Sequence, residues 1–174
     1  MKHKPDITFI NDVKDVLRSK EIVEEFVPFL ERNGYEFYYP FTESTDAEEV
    51  ARQIELDVDK FELNVASEKL QTLWNSLNND SVEGDSLYAK DYICVVTMYG
   101  PRGFFYTPNT IYVNVTFDSE RDWVQTMLHE MLHLAHFEET KELAHAEREG
   151  FIDKKFIELW GDTFPEYSKQ KISK

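Results

Sequence analysis

With 174 residues, 41% of them hydrophobic, the chain is long enough to build one domain with its own core. Its 34 Asp and Glu outnumber 19 Lys and Arg, and the net charge of −15 argues against binding nucleic acid or an anionic membrane surface, leaving a solvated surface or a basic protein partner. The single cysteine, Cys94, can form no disulfide within the chain, and neither a secretory h-region nor a run of transmembrane length is read, so a cytoplasmic setting is expected.

Residues 7–10 form an apolar run that predicts a first strand. Asn11 is placed to cap a helix that turns Val13, Val16, Leu17, Ile22, Val23, Phe26, Phe29 and Leu30 inward. Pro28 should kink or break it, and Asn33-Gly34 should end it. The aromatic stretch 35–41 reads as strand. Thr45 and Glu48 have capping-box spacing for a short helix to Arg52. Beyond it, Ile54, Leu56 and Val58, then Phe61, Leu63 and Val65, alternate with polar residues. That predicts a hairpin turning at Asp59-Lys60, although a helical period through Ile54, Val58, Phe61 and Val65 fits nearly as well. Ser67 opens a helix carrying Leu70, Leu73, Trp74 and Leu77, and residues 78–84 form a polar loop.

Residues 92–99 predict a strand, broken by Gly100-Pro101-Arg102-Gly103. Residues 104–106 are short and aromatic, Pro108-Asn109 turns the chain, and residues 110–117 alternate as another strand. Asp118 or Ser119 caps the next helix. After a polar connection at 136–141, residues 143–160 predict a last helix with Phe151, Ile152, Phe156, Ile157 and Trp160 on its apolar side, stopped by Gly161 and Pro165. Residues 167–174 are expected to fray. This order gives an α+β fold: a small mixed or antiparallel sheet packed on a central helix, with a second helix beside it. No linker or repeat divides the chain, so a single domain over 1–174 is expected.

The central helix carries the chemistry. Val124, Met127, Leu128, Met131, Leu132 and Ala135 recur at three- and four-residue steps, and among them stands His129-Glu130-Met131-Leu132-His133. Residues four apart share a helix face, so both imidazoles can reach one metal ion. Glu130 lies about 100° round the same turn, too far to join them but well placed to take a proton from water at the ion. Two His ligands and a Glu general base are the pattern of a zinc hydrolase with one Zn2+. A core helix gains nothing from this triplet otherwise, because each unsatisfied buried polar group costs about 1–3 kcal/mol.

A catalytic zinc keeps three protein ligands. Downstream candidates for the third are His136, Glu138, Glu139, His145, Glu147 and Glu149. His136 would bring its ring about a turn further along, beyond easy reach. Glu149 and Asp153 share a face of the last helix, so one could bind the metal while the other accepts from a ligating histidine. Gly150 between them is costly in mid-helix and suggests a close approach of another group there.

His129-Glu130-x-x-His133, followed on a second helix by Glu149-Gly150-Phe151 and Asp153, resembles the gluzincin class of zinc metallopeptidases. The Glu-Gly-Phe triplet resembles the aminopeptidase branch and Glu-x-x-x-Asp the thermolysin-like branch. The resemblance covers residues 92–160 and implies a zincin-like catalytic core over 91–161; it does not extend to the N-terminal α/β part at 1–90, to which it assigns no role. It implies Glu130 as general base, His129, His133 and Glu149 as zinc ligands, and Asp153 orienting His129. The family also uses a Tyr or His to stabilise the oxyanion, for which His145, Tyr106 and Tyr167 are the candidates. Residues 103–107 are the candidate exposed edge for a protein or peptide substrate. Other readings stay open. One is an ImmA/IrrE-like regulatory protease with a single partner substrate. A SprT-like protease would want a third His and a basic region. The last is a catalytically silent zinc-binding module that engages a basic protein.

Overall fold

The structure, a computed structural model, describes residues 4–77, 86–117 and 119–169. Among them are a four-stranded mixed sheet and six α-helices. Strand β1 (Ile7–Ile10) leads into α1 (Val13–Arg32), α2 (Ala47–Lys60) and α3 (Leu63–Ser76). A 3-10 turn at Ser86–Ala89 precedes β2 (Tyr92–Thr97), β3 (Gly103–Tyr106) and β4 (Thr110–Asn114). Then come α4 (Glu120–Ala135), the single-turn α5 (Phe137–Thr140) and α6 (His145–Trp160).

The sheet order is β1-β2-β4-β3, with β1, β2 and β4 parallel and β3 antiparallel along the edge. Strand β2 is almost continuously apolar because both its faces are covered. On one face the Ser19 hydroxyl of α1 meets the Thr97 hydroxyl at 2.6 Å. On the other, α3 and α4 pack, and Cys94 and Val96 enter the core with Met127, Leu128 and Met131. Burial pushes the Cys94 thiol far above its ordinary pKa, so it is not a reactive thiol. Helix α4 lies between β3 and β4 on one side and α3 and α6 on the other.

Several local expectations shift. Asp12, not Asn11, caps α1, its carboxylate accepting from the Asp15 N–H at 3.0 Å. Helix α1 runs unbroken through Pro28 and ends at Asn33-Gly34 as expected, with Gly34 at φ 67. Val13, Leu17 and Phe29 of this helix are exposed rather than inward. The stretch 35–41 makes only an isolated bridge, Tyr38 to Gly100. The capping box falls one residue later than Thr45/Glu48: Asp46 accepts from the Glu49 N–H at 2.9 Å, and its own N–H donates back to the Glu49 carboxylate at 3.2 Å. That box starts α2, and the expected hairpin over 54–65 is instead the end of α2 and the start of α3. The helical period wins because it buries Ile54 with Leu63 and Leu70, whereas a strand would have turned Leu56, 58% exposed here, inward with Ile54. Helix α3 begins at Leu63, so Ser67 lies inside it. The connection 136–141 contains α5. Residues 78–84, Asp118 and the last part of the expected frayed tail lie outside the described residues. No described helix is long and apolar enough to cross a membrane.

Candidate metal centre

Helix α4 begins where the Ser119 N–H and hydroxyl both donate to the Asp122 carboxylate, at 3.2 and 2.7 Å. From residue 127 to 134 every side chain is buried. The helix is therefore walled on all sides, and its polar residues sit in low dielectric. Their rotamers are fixed by packing. His129 and His133, one turn apart, bring their Nε2 atoms to 3.2 Å from each other. Helix α6, which packs against α4, contributes Glu149. One Glu149 oxygen lies 3.2 Å from His129 Nε2 and the other 3.3 Å from His133 Nε2. All three residues are at most 5% exposed.

The donor set fits a metal ion. Metal–ligand bonds of about 2.0–2.1 Å at tetrahedral angles place ligand atoms about 3.3–3.4 Å apart. Each imidazole lies 3.2 to 3.3 Å from the other or from its own nearer oxygen of Glu149, close to that spacing, and one ligand atom from each of the three residues falls within 4.8 Å of the others. Two imidazole lone pairs and a carboxylate aimed at one point are satisfied together by a cation. Electrostatics agree. Burial works against charge on His129, but its bond to Glu149 and the charges of Glu130, Glu149 and Asp153 outweigh this and raise its pKa. Burial likewise works against the Glu149 carboxylate, yet the two histidines hold it well below the usual range.

A second layer backs His129. Its Nδ1 lies 2.8 Å from the Tyr167 hydroxyl, which donates to Asp153 Oδ1 at 2.6 Å. Asp153 was expected to hold His129 directly, but that separation is 3.9 Å and Tyr167 stands between them. Tyr167 is thus neither frayed nor on the ligand side of the ring. His133 is supported differently: Phe105 of β3 stacks on it, with centroids 5.0 Å apart and planes 19° apart. Its Nδ1 is buried and has no hydrogen-bond partner among the described residues.

Glu130 is 6% exposed and faces β3. Burial raises its pKa, and Glu149 adds to the rise, while the two histidines oppose it. The strand approaches so closely because Gly103 has no side chain. A Cβ there would collide with Thr126 Cγ2 and stand 3.2 Å from Glu130 Cγ. Gly103→Ala should therefore lower stability by about 1–3 kcal/mol in urea denaturation, the usual effect of overpacking. Thr126→Ser, which lacks Cγ2, should restore most of it in the double variant.

The remaining candidates separate clearly. His136 is buried but turned to Glu139, Nδ1 to Oε1 3.1 Å, and does not join the cluster. Tyr106 is 52% exposed on β3, on the opposite strand face from Phe105. His145 stays at the rim, its Nδ1 3.7 Å from Glu149 Oε1. Gly150 admits no close neighbour: nothing lies within 4 Å of a Cβ built there, so the expected approach is absent. One neighbour escapes the sequence reading altogether. The Tyr35 hydroxyl, just past α1, lies 2.8 Å from His145 Nε2. Burial, together with the charges of Glu149 and Glu130, raises its pKa. Only a C-cap glycine followed by an aromatic marked it, and that signal says nothing of the site. No protein-family model, curated protein sequence or solved structure matches the chain.

Proposed function

We propose that this protein is a zinc-dependent metallopeptidase of the gluzincin kind, with a zincin-like core built on α4 and α6. The observation that carries this reading is the convergence of His129, His133 and Glu149 at metal-ligand spacing, with Glu130 buried beside them. Zinc held by these three residues would supply a Lewis acid and lower the pKa of water in its shell. Glu130 takes a proton from the attacking water and returns it to the amine nitrogen as the C–N bond breaks. A carboxylate with a raised pKa suits both halves of that transfer near neutral pH.

Strand β3 supports a protein or peptide substrate. It is one of the two edge strands of the sheet, as expected for residues 103–107. The Arg102 carbonyl accepts from the Asn114 N–H at 2.9 Å, so by antiparallel alternation Gly103 and Phe105 direct their backbone groups to the open side. An extended protein or peptide chain can pair there, beside the Phe105 ring that stacks on His133. His145 and Tyr35 are the polar groups offered to a developing oxyanion. Tyr35→Phe should lower kcat about 10²-fold and leave zinc content unchanged, measured on any cleaved peptide.

The test is a mixed peptide pool read by mass spectrometry, with the zinc-loaded protein. Cleavage that a chelator stops and zinc restores is expected. Bound metal with no cleavage across the pool would favour the silent binder of a basic protein.

A further inference from the structure

The segment that follows α6 enters the candidate centre. Residues 161–167 turn back on Trp160: the Thr163 and Phe164 N–H groups donate to its carbonyl at 3.0 and 2.8 Å, and the Tyr167 N–H donates to the Phe164 carbonyl at 3.0 Å. Phe164 is 2% exposed. Arg121 of α4 holds both the Thr163 carbonyl and the Glu166 carboxylate. The Tyr167 ring stacks on Phe156, centroids 3.8 Å apart. Its hydroxyl then bridges Asp153 and His129 Nδ1.

The proton arrangement of that bridge is set by chemistry. A carboxylate only accepts, so the Tyr167 O–H donates to Asp153 and its oxygen accepts from His129 Nδ1–H. The bridge holds the proton on Nδ1 and turns His129 Nε2, the atom a metal would take in place of a proton, toward Glu149 and His133. His133 has no such backing among the described residues. Tyr167 therefore supplies the hydrogen-bonded orientation of His129, while Phe105 holds the His133 ring by stacking.

We propose that Tyr167 is a positioning residue that couples metal binding to docking of residues 161–167: the docked segment prepares His129 for the ion, and the bound ion holds the segment docked. The coupling is reciprocal, as any linkage between two binding events must be. A partner or ligand that strips the segment from α4 would loosen the metal. This inference rests on reading His129, His133 and Glu149 as metal ligands.

The experiment uses the full chain and zinc itself. Zinc affinity is measured by competition with a chromogenic chelator for wild type, Tyr167→Phe, Asp153→Asn and the double variant. Amide exchange of residues 161–167 is followed with and without zinc. Tyr167→Phe keeps the stacked ring but leaves the buried Asp153 carboxylate and His129 Nδ1 without their bridge, so its metal-free melting temperature should fall by about 2–12 °C. Its zinc affinity should fall about 10- to 100-fold, and Asp153→Asn added to it should cost little more. Zinc should slow exchange at the Tyr167 amide in wild type and much less in Tyr167→Phe. Wild-type affinity in Tyr167→Phe, or exchange that ignores zinc, overturns the coupling and leaves the metal site standing. Wild type that takes up no zinc removes both.

Discussion

Glu130→Gln keeps zinc and loses turnover. Gln is close in shape to Glu and fills the same buried space between α4 and Gly103 of β3, so the packing that fixes His129 and His133 survives. What it removes is the ability to take and return a proton. General acid–base groups contribute about 10²–10⁴-fold, so kcat on a cleaved peptide should fall by that factor with zinc stoichiometry unchanged. Removing the buried negative charge also relieves its desolvation, so the apo variant should melt no lower than wild type. Cleavage at the wild-type rate would take the general-base role away from Glu130 and move it elsewhere in the site.

The second large effect is on stability. An ion that binds the folded chain and not the unfolded one stabilises it by about 4 kcal/mol at a free concentration near a thousand times Kd. For a domain of this size that is a rise of about 8–16 °C in Tm. The rise should vanish in Glu149→Ala and in His133→Ala, because each removes one of the three converging ligands. Glu149→Ala has a further consequence. It leaves His129 and His133 with Nε2 atoms 3.2 Å apart and no carboxylate between α6 and the pair, so the metal-free variant should also melt lower than metal-free wild type. Calorimetry with and without added zinc separates the two effects. An undiminished zinc-dependent rise in Glu149→Ala would remove that residue from the ligand set.

The parts of this arrangement that were legible in the sequence are the local ones. The three- and four-residue apolar steps of α4 and the four-residue His pair follow from helix geometry alone, and α4 and α6 stand where that periodicity put them. Glu149 and Asp153 share a face for the same reason. The edge at residues 103–107 was readable from its flanking Gly and Pro. What was not readable depends on distant chain. Tyr35 meets His145 across 110 positions, and Tyr167 meets His129 across 38, so no spacing rule could pair them. The hairpin over 54–65 failed for a different reason. The alternating and helical patterns coincide there, and the capping box that decides between them lies at Asp46 and Glu49, outside the ambiguous stretch. The helical cost of Gly150 suggests a close neighbour, but none is there. Its helical glycine faces open space, and nothing in the structure explains it.

The most direct test is X-ray absorption at the zinc edge on protein loaded to saturation. A single site per chain is expected, with two imidazole nitrogens and carboxylate and water oxygens at about 2.0–2.1 Å, and His133→Ala should retain no zinc after buffer exchange. A chain that stays metal-free in excess zinc, or a spectrum without imidazole, would contradict that expectation.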